Sequence, residues 1–219
     1  MSLIFYGAPM STATITEAVL NELGVPHERR MLEIGSNGTQ SAEFLAVNPN
    51  GRVPALVHDG TALWESAAIT LYLGETFGVE RGLFPPPGAG RGRAMSWVVW
   101  SNVALAEAGG RLAAALPHGA QGNPGGMEAA SVDAANSDAA GADAATGARL
   151  DIAGLLQVLE GGLGQSFLLG GYSLVDTHVS SIVGWLGMMG IGTEPYPAIA
   201  AWMGRCWSRP ALARMMGQG

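Results

Sequence analysis

One continuous stretch, residues 48–73, holds signals for a turn, two strands and a helix, and their order restricts the fold strongly. Residues 48–51, Asn-Pro-Asn-Gly, favour a turn because proline fixes φ and because asparagine and glycine tolerate positive φ. Residues 53–57 read as an apolar strand whose proline lies near its start, where a missing N–H is tolerated. Asp-Gly at residues 59–60 is a hairpin signal, so residues 63–64 are predicted to return as the next strand.

The backbone around Pro54 predicts a ligand as well as a fold. We expect the Val53-Pro54 bond to be cis, since a proline permits this uncommon conformation. The backbone N–H and C=O of Val53 would then face away from the sheet and pair with an extended peptide. Ser66 opens a helix whose N-terminus favours a carboxylate, and Glu65 offers an acceptor for an ammonium group. Together these groups predict a small zwitterionic peptide as the ligand.

These residues resemble the glutathione-binding half of cytosolic glutathione transferases. The resemblance rests on Asn-Pro-x-Gly-x-Val-Pro-Ala-Leu, then Asp-Gly, then Glu-Ser-x-Ala-Ile, within residues 48–69. Residues 6–14, Tyr-Gly-Ala-Pro-Met-Ser-Thr-Ala-Thr, resemble the serine-type and in particular the phi-like members. Residues 168–176, Leu-x-Gly-x-x-Ser-Leu-Val-Asp, are similar to the helix-capping motif of the family. The resemblance implies a thioredoxin-like domain, which agrees with the order βαβαββα read from the N-terminal residues.

Ser11 is the candidate catalytic residue. It lies where a turn becomes the first helix, and helix N-termini lower the pKa of thiols, so its hydroxyl and nearby N–H groups can stabilise a ligand thiolate. Its other interpretation is an ordinary N-cap. Tyr6 is the rival, because other transferase classes use an N-terminal tyrosine, but here we expect it to pack in the core. Thr12 is a weaker substitute for Ser11.

The resemblance also implies the residues that hold glutathione. They are Gln40, Arg52, Val53, Pro54, Glu65 and Ser66. The sequence departs from the phi-like pattern at residues 39–40, where basic residues would bind the glycyl carboxylate, so Gln40 makes that contact or the contact is absent. Arg52 either reaches the same carboxylate or is a solvated turn residue.

A second substrate site is expected between the two domains, for the electrophile. Its predicted lining is Met10, Thr12, Met95 and Met188. Methionine suits such a pocket because it is flexible and polarisable, although methionines at helical spacing also pack in cores. Relatives that form a mixed disulfide with glutathione carry cysteine at or next to the Ser11 position. The only cysteine here is Cys206, so chemistry through a protein thiol is not expected.

The chain is predicted to have two domains. Residues 1–78 form the thioredoxin-like domain, residues 79–92 with their Pro-Pro-Pro-Gly run form a linker, and residues 93–219 form an all-helical domain. Residues 91–116 are predicted to be one long helix, and residues 118–146 a solvated loop running into a poorly packed helix. The acidic residues of that last segment do not share a helical face, so we do not predict a cation site there.

Composition excludes several classes of protein. The net charge of −7 over 219 residues argues against nucleic acid as a partner, and no apolar run is long enough to span a membrane. The N-terminus lacks a basic segment, so we expect a cytoplasmic protein. A single cysteine permits neither a disulfide within the chain nor a cysteine cluster for zinc. His118 and His178 have no partner at ligand spacing, and no metal or organic cofactor is implied.

The sequence therefore predicts a transferase that joins glutathione, its co-substrate, to a small apolar electrophile. Ser11 would hold the thiolate, and catalysis would rely largely on proximity. The resemblance suggests a homodimer. Two alternatives stay open: a transferase-like protein that binds apolar ligands or a protein partner without turnover, and glutathione-dependent isomerase or dehalogenase chemistry at the same site.

Overall fold

The computed structural model describes residues 1–9, 11–35, 37–116 and 137–215. The helix that contains residues 137–139 is described, but the side chains of those three residues are not. The predictions made for Met10, His118 and the acidic residues before residue 137 therefore lie outside the described part of the chain.

The N-terminal elements follow the predicted order βαβαββα. They are β1 (Leu3–Gly7), α1 (Ala13–Leu23), β2 (Glu28–Met31), α2 (Ala42–Leu45), β3 (Ala55–His58), β4 (Thr61–Trp64) and α3 (Ser66–Leu73). The strands lie in the order β2-β1-β3-β4. β1 pairs with β2 in parallel and with β3 antiparallel, and β3 and β4 form the predicted hairpin. The thioredoxin-like prediction is confirmed, although residues 25–34 read as a strand in the sequence and only Glu28–Met31 form one.

Helix α1 covers the sheet because its apolar residues recur at helical spacing. Ile15, Val19 and Leu23 are all buried on one face. Gly24 ends the helix with φ 61°, a left-handed conformation that glycine adopts without steric cost, and its N–H donates to the carbonyl of Leu20. This helix also reaches the second domain, since Ile15 and Ala18 belong to the core of the helical half.

The rest of the described chain is helical, as predicted. Its helices are α4 (Ala89–Trp100), α5 (Glu107–Ala115), α6 (Ser137–Gly162), α7 (Leu174–Met188), α8 (Pro197–Trp207) and α9 (Pro210–Met215). A π-helical segment, Ser101–Ala106, joins α4 to α5, and another, Gly74–Gly78, follows α3. Residues 89–115 are thus helical throughout, which agrees with the long helix predicted for residues 91–116 except for the π-helical segment within it, and α4 begins inside the predicted linker. None of the described helices is long and apolar enough to cross a lipid bilayer.

Helix α7 is the centre of the helical half, as its all-round apolar sequence indicates. Its predicted capping box is confirmed: Asp176 accepts from the N–H of Ser173 at 2.9 Å. The same carboxylate accepts from the N–H of Leu168 at 3.0 Å and from the indole Nε1 of Trp202 at 2.9 Å. Burial raises the pKa of Asp176, while these donors oppose that shift. The start of α7 is therefore fixed to α8 by a satisfied buried carboxylate.

The faces of α4 and of the segment that follows it differ from the sequence interpretation, which places residues 95, 98, 99 and 102 on one side. Val98 is fully buried, whereas Met95 and Val99 are 36% and 43% exposed. Met95, Val99 and Val103 follow one another at four-residue intervals, so they form a separate outer stripe. The sequence does not separate the two faces, because Met95 and Val98 are three residues apart and this interval also fits a single helical face. α4 carries apolar residues on both of its sides.

Candidate functional site

Three chain segments meet at one edge of the sheet. Tyr6, near the end of β1, lies opposite Ala55, and Ala55 lies opposite Trp64 on the other side. Val53 precedes Ala55 by two residues and Ser66 follows Trp64 by two residues, so the hairpin register places Val53 and Ser66 at the same edge. The sequence could predict this meeting point because the hairpin turn at residues 59–60 fixes the register.

Ser11 lies at this edge, immediately before α1. Its side chain is buried, with the residue only 6% exposed. The hydroxyl donates to the carbonyl of Ala8 at 2.7 Å and accepts from the N–H of Ala13 at 3.2 Å. The residue at the N-cap position is Thr12, which makes no side-chain capping bond. The Ser11 hydroxyl must therefore turn away from Ala8 before it can donate to a ligand atom.

Thr12 connects Ser11 to the strand-forming backbone of Val53. The Thr12 hydroxyl donates to the Val53 carbonyl at 3.3 Å. The Val53-Pro54 bond is cis, as predicted. Both Val53 and Pro54 are buried, and the Val53 carbonyl is already engaged by the Thr12 hydroxyl. The structure thus brings the two predicted hydroxyl residues and the predicted peptide-pairing residue together.

Tyr6 lies in the core, as expected for a structural tyrosine. It is 8% exposed and its ring packs against Phe44 with the centroids 5.5 Å apart. The Tyr6 hydroxyl accepts from Nη1 of Arg30 at 3.0 Å, and the guanidinium lies 5.6 Å from the centre of the Tyr6 ring. These contacts satisfy Tyr6 within the protein.

Glu65 and Ser66 present polar groups at the start of α3. Glu65 has φ 70°, which is rare for a residue with a side chain, and it is exposed. Such conformations cluster at ligand-binding positions, because the surrounding structure must hold them. Ser66 is 5% exposed, and its Oγ accepts from Nδ2 of Asn102 at 3.0 Å. The first N–H groups of α3 have no partner within the helix and are available to an anion.

Gln40 and Arg52 lie near the turn before β3. Nε2 of Gln40 donates to the carbonyl of Gly51 at 3.1 Å, so this side chain is partly engaged. The φ of Gly51 is 61°, a left-handed conformation that favours glycine, and a Cβ there would also displace the end of the Gln40 side chain. Arg52 is exposed, and its guanidinium makes no hydrogen bond or ion pair with another described residue. It is therefore a free positive charge.

A cavity of about 280 Å³ opens beside Ser11 and Thr12. Its walls come from α1, the Ser101–Ala106 segment, α7, α8 and α9, so it lies between the two halves of the chain. Apolar groups dominate the lining, and none of its residues carries a charge. The lining residues are Ser11, Thr12, Thr14, Ile15, Ala18, Ala106, Ser181, Ile182, Gly184, Trp185, Met188, Trp207, Leu212 and Met215.

Of the three methionines predicted for this pocket, Met10 lies outside the described residues, and Met95 and Met188 lie in different places. Met188 lines the cavity, although it is 65% exposed. Met95 does not line it and lies on the outer stripe of α4. The sequence reasoning missed Trp185 and Trp207. Ser181, Trp185 and Met188 recur at intervals of four and three residues, which indicates one helical face of α7, but nothing local shows that this face is left open.

The chemistry of the site is that of hydroxyls, backbone groups and helix N-termini. The described part of the chain contains no cluster of histidine, cysteine and acidic side chains suited to a metal. His178, which the sequence did not assign to metal, is buried between Thr70 and Asn102. The edge can therefore hold an extended, zwitterionic ligand next to an apolar cavity.

Fold and site together define a thioredoxin-like domain joined to a helical domain, with the candidate peptide site at the edge of the sheet. Residues 1–75 match the model of the glutathione S-transferase N-terminal domain, and residues 123–210 match that of the glutathione S-transferase C-terminal domain. The chain belongs to the glutathione S-transferase family. These matches do not distinguish a serine-type, phi-like subgroup.

Two curated relatives share part of the N-terminal sequence. The glutathione S-transferase GstB of Escherichia coli strain K12 is 42% identical over 93 residues, which are 41% of this chain and 43% of GstB. Protein URE2 of Candida albicans is 42% identical over 67 residues, which are 29% of this chain and 20% of URE2. The alignments therefore span less than half of each relative.

Solved structures extend the likeness to the whole chain. A glutathione transferase from Methylococcus capsulatus has a TM-score of 0.77 and 28% identity, over 98% of this chain and 97% of that one. The transferase URE2P6 from Phanerochaete chrysosporium, solved with oxidized glutathione, has a TM-score of 0.81 at 24% identity, over 99% and 96% of the two chains. The second match supports the fold alone.

Proposed function

We propose that this protein transfers the thiolate of glutathione to small, apolar, uncharged electrophiles. The observation that carries the proposal is the position of Ser11 and Thr12. Both residues lie at the peptide-binding edge, and both line the apolar cavity. A thiol bound at this edge would face an electrophile in the cavity, and holding the two reactants together supplies much of the rate.

The peptide would lie across the edge with its parts recognised separately. The Val53 backbone would pair with the cysteinyl unit, while Glu65 and Ser66 would bind the ammonium and carboxylate of the γ-glutamyl unit. Arg52 would face the glycyl carboxylate, because its guanidinium is free and exposed. Gln40, which already donates to Gly51, would contribute a weaker polar contact.

Ser11 would act as the donor to the thiolate. Its hydroxyl is a rotor, so it can exchange the carbonyl of Ala8 for the sulfur of the ligand. A hydrogen bond to a charged group stabilises it by about 1.5–3 kcal/mol, which would lower the pKa of the bound thiol by roughly one to two units. No metal or organic cofactor takes part in this proposal.

The test is the turnover of chlorodinitrobenzene with glutathione by the wild type and by Ser11→Ala. We expect kcat/KM to fall by roughly 10- to 100-fold, and the pH at which the rate rises to move upward. Ser96→Ala is the matched control, since this serine lies exposed on α4 and donates only to the carbonyl of Gly92. A Ser11→Ala variant that folds and keeps the wild-type rate and pH profile would refute the role of Ser11.

A second candidate is a binding protein without turnover. It is favoured by the engaged hydroxyl of Ser11 and by the absence of basic residues at positions 39–40. Calorimetric binding of glutathione without detectable turnover of several electrophiles would favour this candidate. Isomerase or dehalogenase chemistry would instead appear as substrate loss without a stable glutathione conjugate.

We also propose that the protein works as a homodimer in the cytoplasm. The outer stripe of α4 supports the dimer, because Val103 is 67% exposed and continues the apolar surface of Met95 and Val99. Light scattering of the wild type and of Val103→Glu measures this directly. A monomeric wild type at micromolar concentration would contradict the dimer without affecting the proposed chemistry.

A further inference from the structure

A chain of polar side chains runs from the candidate peptide site into the core of the helical half. It crosses from α3 to the Ser101–Ala106 segment and then to α7 before it returns to α3. We call it the polar relay, and its members in order are Ser66, Asn102, His178 and Thr70. Ser66 and Thr70 are one helical turn apart, so they project from the same face of α3.

The distances in the polar relay are those of good hydrogen bonds. Nδ2 of Asn102 lies 3.0 Å from Oγ of Ser66, and Oδ1 of Asn102 lies 2.7 Å from Nε2 of His178. Nδ1 of His178 lies 2.9 Å from Oγ1 of Thr70. His178 and Thr70 are fully buried. Asn102 and His178 thus have two partners each, and buried polar groups held in this way have little freedom to reorient.

The state of the imidazole sets the direction of every bond in the polar relay. Burial lowers the pKa of His178 to about 3, so the ring is neutral at physiological pH. A neutral imidazole has one donor and one acceptor nitrogen. Because Nε2 faces the carbonyl oxygen of Asn102, Nε2 carries the hydrogen, and Nδ1 accepts from the hydroxyl of Thr70.

The consequence reaches Ser66. With its oxygen committed to His178, Asn102 must offer its NH₂ group to Ser66. Oγ of Ser66 then acts as an acceptor inside the protein, and its own hydrogen stays free for an outside group. A hydroxyl so arranged is a donor, and a carboxylate, which only accepts, is its natural partner.

We infer that Asn102 and His178 are positioning residues, which hold the Ser66 hydroxyl as a donor toward a ligand carboxylate. The inference rests on the proposed function, in which Ser66 binds the γ-glutamyl carboxylate of glutathione. Asn102 lies in a π-helical segment, and such segments recur at functional sites. The polar relay therefore makes peptide recognition by the N-terminal half depend on two residues of the helical half.

The test compares two ligands in each variant by calorimetry. One ligand is glutathione, and the other is γ-aminobutyryl-cysteinylglycine, which keeps the amine and lacks only the γ-glutamyl carboxylate. We expect the wild type to prefer glutathione by on the order of 30-fold, since a charge-assisted hydrogen bond is lost with the analogue. Asn102→Leu should reduce this preference by about 5-fold or more while the affinity for the analogue changes by less than about twofold.

A parallel loss of both affinities in Asn102→Leu would overturn the inference, because it would show that Asn102 only supports the fold. Thermal unfolding checks that the variant is folded, and Asn102→Ala replaces it if leucine is not accommodated. Ser66→Ala separates the inference from the proposed function. If Ser66→Ala keeps the full preference for glutathione, the proposed carboxylate contact is wrong. If Ser66→Ala loses the preference but Asn102→Leu keeps it, the carboxylate contact stands and only the role of the polar relay is refuted.

The donor and acceptor roles in the polar relay can be measured separately, through the tautomer of His178. Nitrogen-15 NMR of the wild type, with His178→Gln to assign the signal, should show the Nε2–H tautomer of His178. The Nδ1–H tautomer would reverse each bond and turn the Ser66 hydrogen toward Asn102, which would overturn the inference whatever the ligand affinities are. The same spectrum without ligand is sufficient, so this result does not depend on the proposed function.

Discussion

Arg209 donates to the carboxylate of Glu22 with two nitrogens, from Nε at 3.0 Å and from Nη2 at 2.8 Å. The pair joins α1 to the residue just before α9, and the guanidinium also stacks 3.7 Å from the ring centre of Tyr172. The Glu22 side chain is only 3% exposed, whereas that of Arg209 is 35% exposed. This contact therefore fixes α9, two of whose residues close the cavity, against the N-terminal half.

Removal of Arg209 should destabilise the protein. Arg209→Ala leaves the buried carboxylate of Glu22 without a partner, and we expect the free energy of unfolding to fall by about 2 kcal/mol, measured by urea denaturation. Arg111→Ala is the control, because its pairs with Glu107 and Asp151 are exposed to solvent and should contribute much less than the Glu22 pair. Equal losses in the two variants would contradict the special role of the Glu22 pair.

Gly184 should control the shape of the cavity. A Cβ at this position would lie 2.5 Å from Cζ2 of Trp207, so Gly184→Ala must displace an indole that lines the pocket. We expect a loss of about 1–3 kcal/mol in stability and a higher KM for the electrophile, with the KM for glutathione unchanged. Steady-state kinetics with each substrate varied in turn measures this difference.

Gly187→Ala provides the comparison on the same helix. A Cβ there meets no atom within 4 Å, so alanine should stabilise α7 by about 0.5–1 kcal/mol and leave both KM values alone. If Gly184→Ala behaves in the same way as Gly187→Ala, then Trp207 moves freely and does not shape the pocket.

His178 should make the stability of the protein depend on pH. Its pKa is about 3 in the folded state and near 6.5 when unfolded, so the unfolded chain binds more protons between these values. Stability is therefore complete above about pH 6.5 and falls as the pH drops toward 3, by up to about 1.4 kcal/mol per pH unit from this group. Urea unfolding of His178→Gln between pH 4 and pH 6.5, about the range in which the group titrates, should show a shallower slope. An unchanged slope would show that folding does not lower the pKa of His178.

Arg52 should contribute to the affinity for glutathione and to its salt dependence. We expect Arg52→Gln to raise the KM for glutathione by about 3- to 10-fold, with a smaller effect at high salt, because an exposed ion pair is screened. Arg93→Gln is the matched control, since Arg93 is an exposed cation of α4 that lies outside the candidate site. If both variants keep the wild-type KM, Arg52 is only a solvated turn residue.

The sequence predicted the N-terminal half well because its signals are local. The hairpin turn, Gly24 and the apolar run of β3 each act within a few residues, and the family resemblance agreed with them. The capping box of α7 was also visible, since Ser173 and Asp176 are three residues apart.

Other features depend on contacts between distant residues, and these could not be read from the sequence. His178 meets Asn102 and Thr70 only after three helices have packed, and Trp207 meets Gly184 across two helices. The π-helical segment at Ser101–Ala106 has no local signal that we could recognise. The position of the helix within residues 118–146 could not be predicted, because residues 137–149 include no large apolar residue that would mark a helical face.

Cys206 is the one thiol of the chain; it is fully buried, and burial raises its pKa, which keeps it protonated. The chain also contains no lysine, so no side-chain amine is exposed to alkylation. A protein that concentrates reactive compounds next to a sulfur nucleophile risks being modified by its own substrates. Here the thiol of Cys206 is shielded by burial, so the thiolate of bound glutathione would be the preferred target.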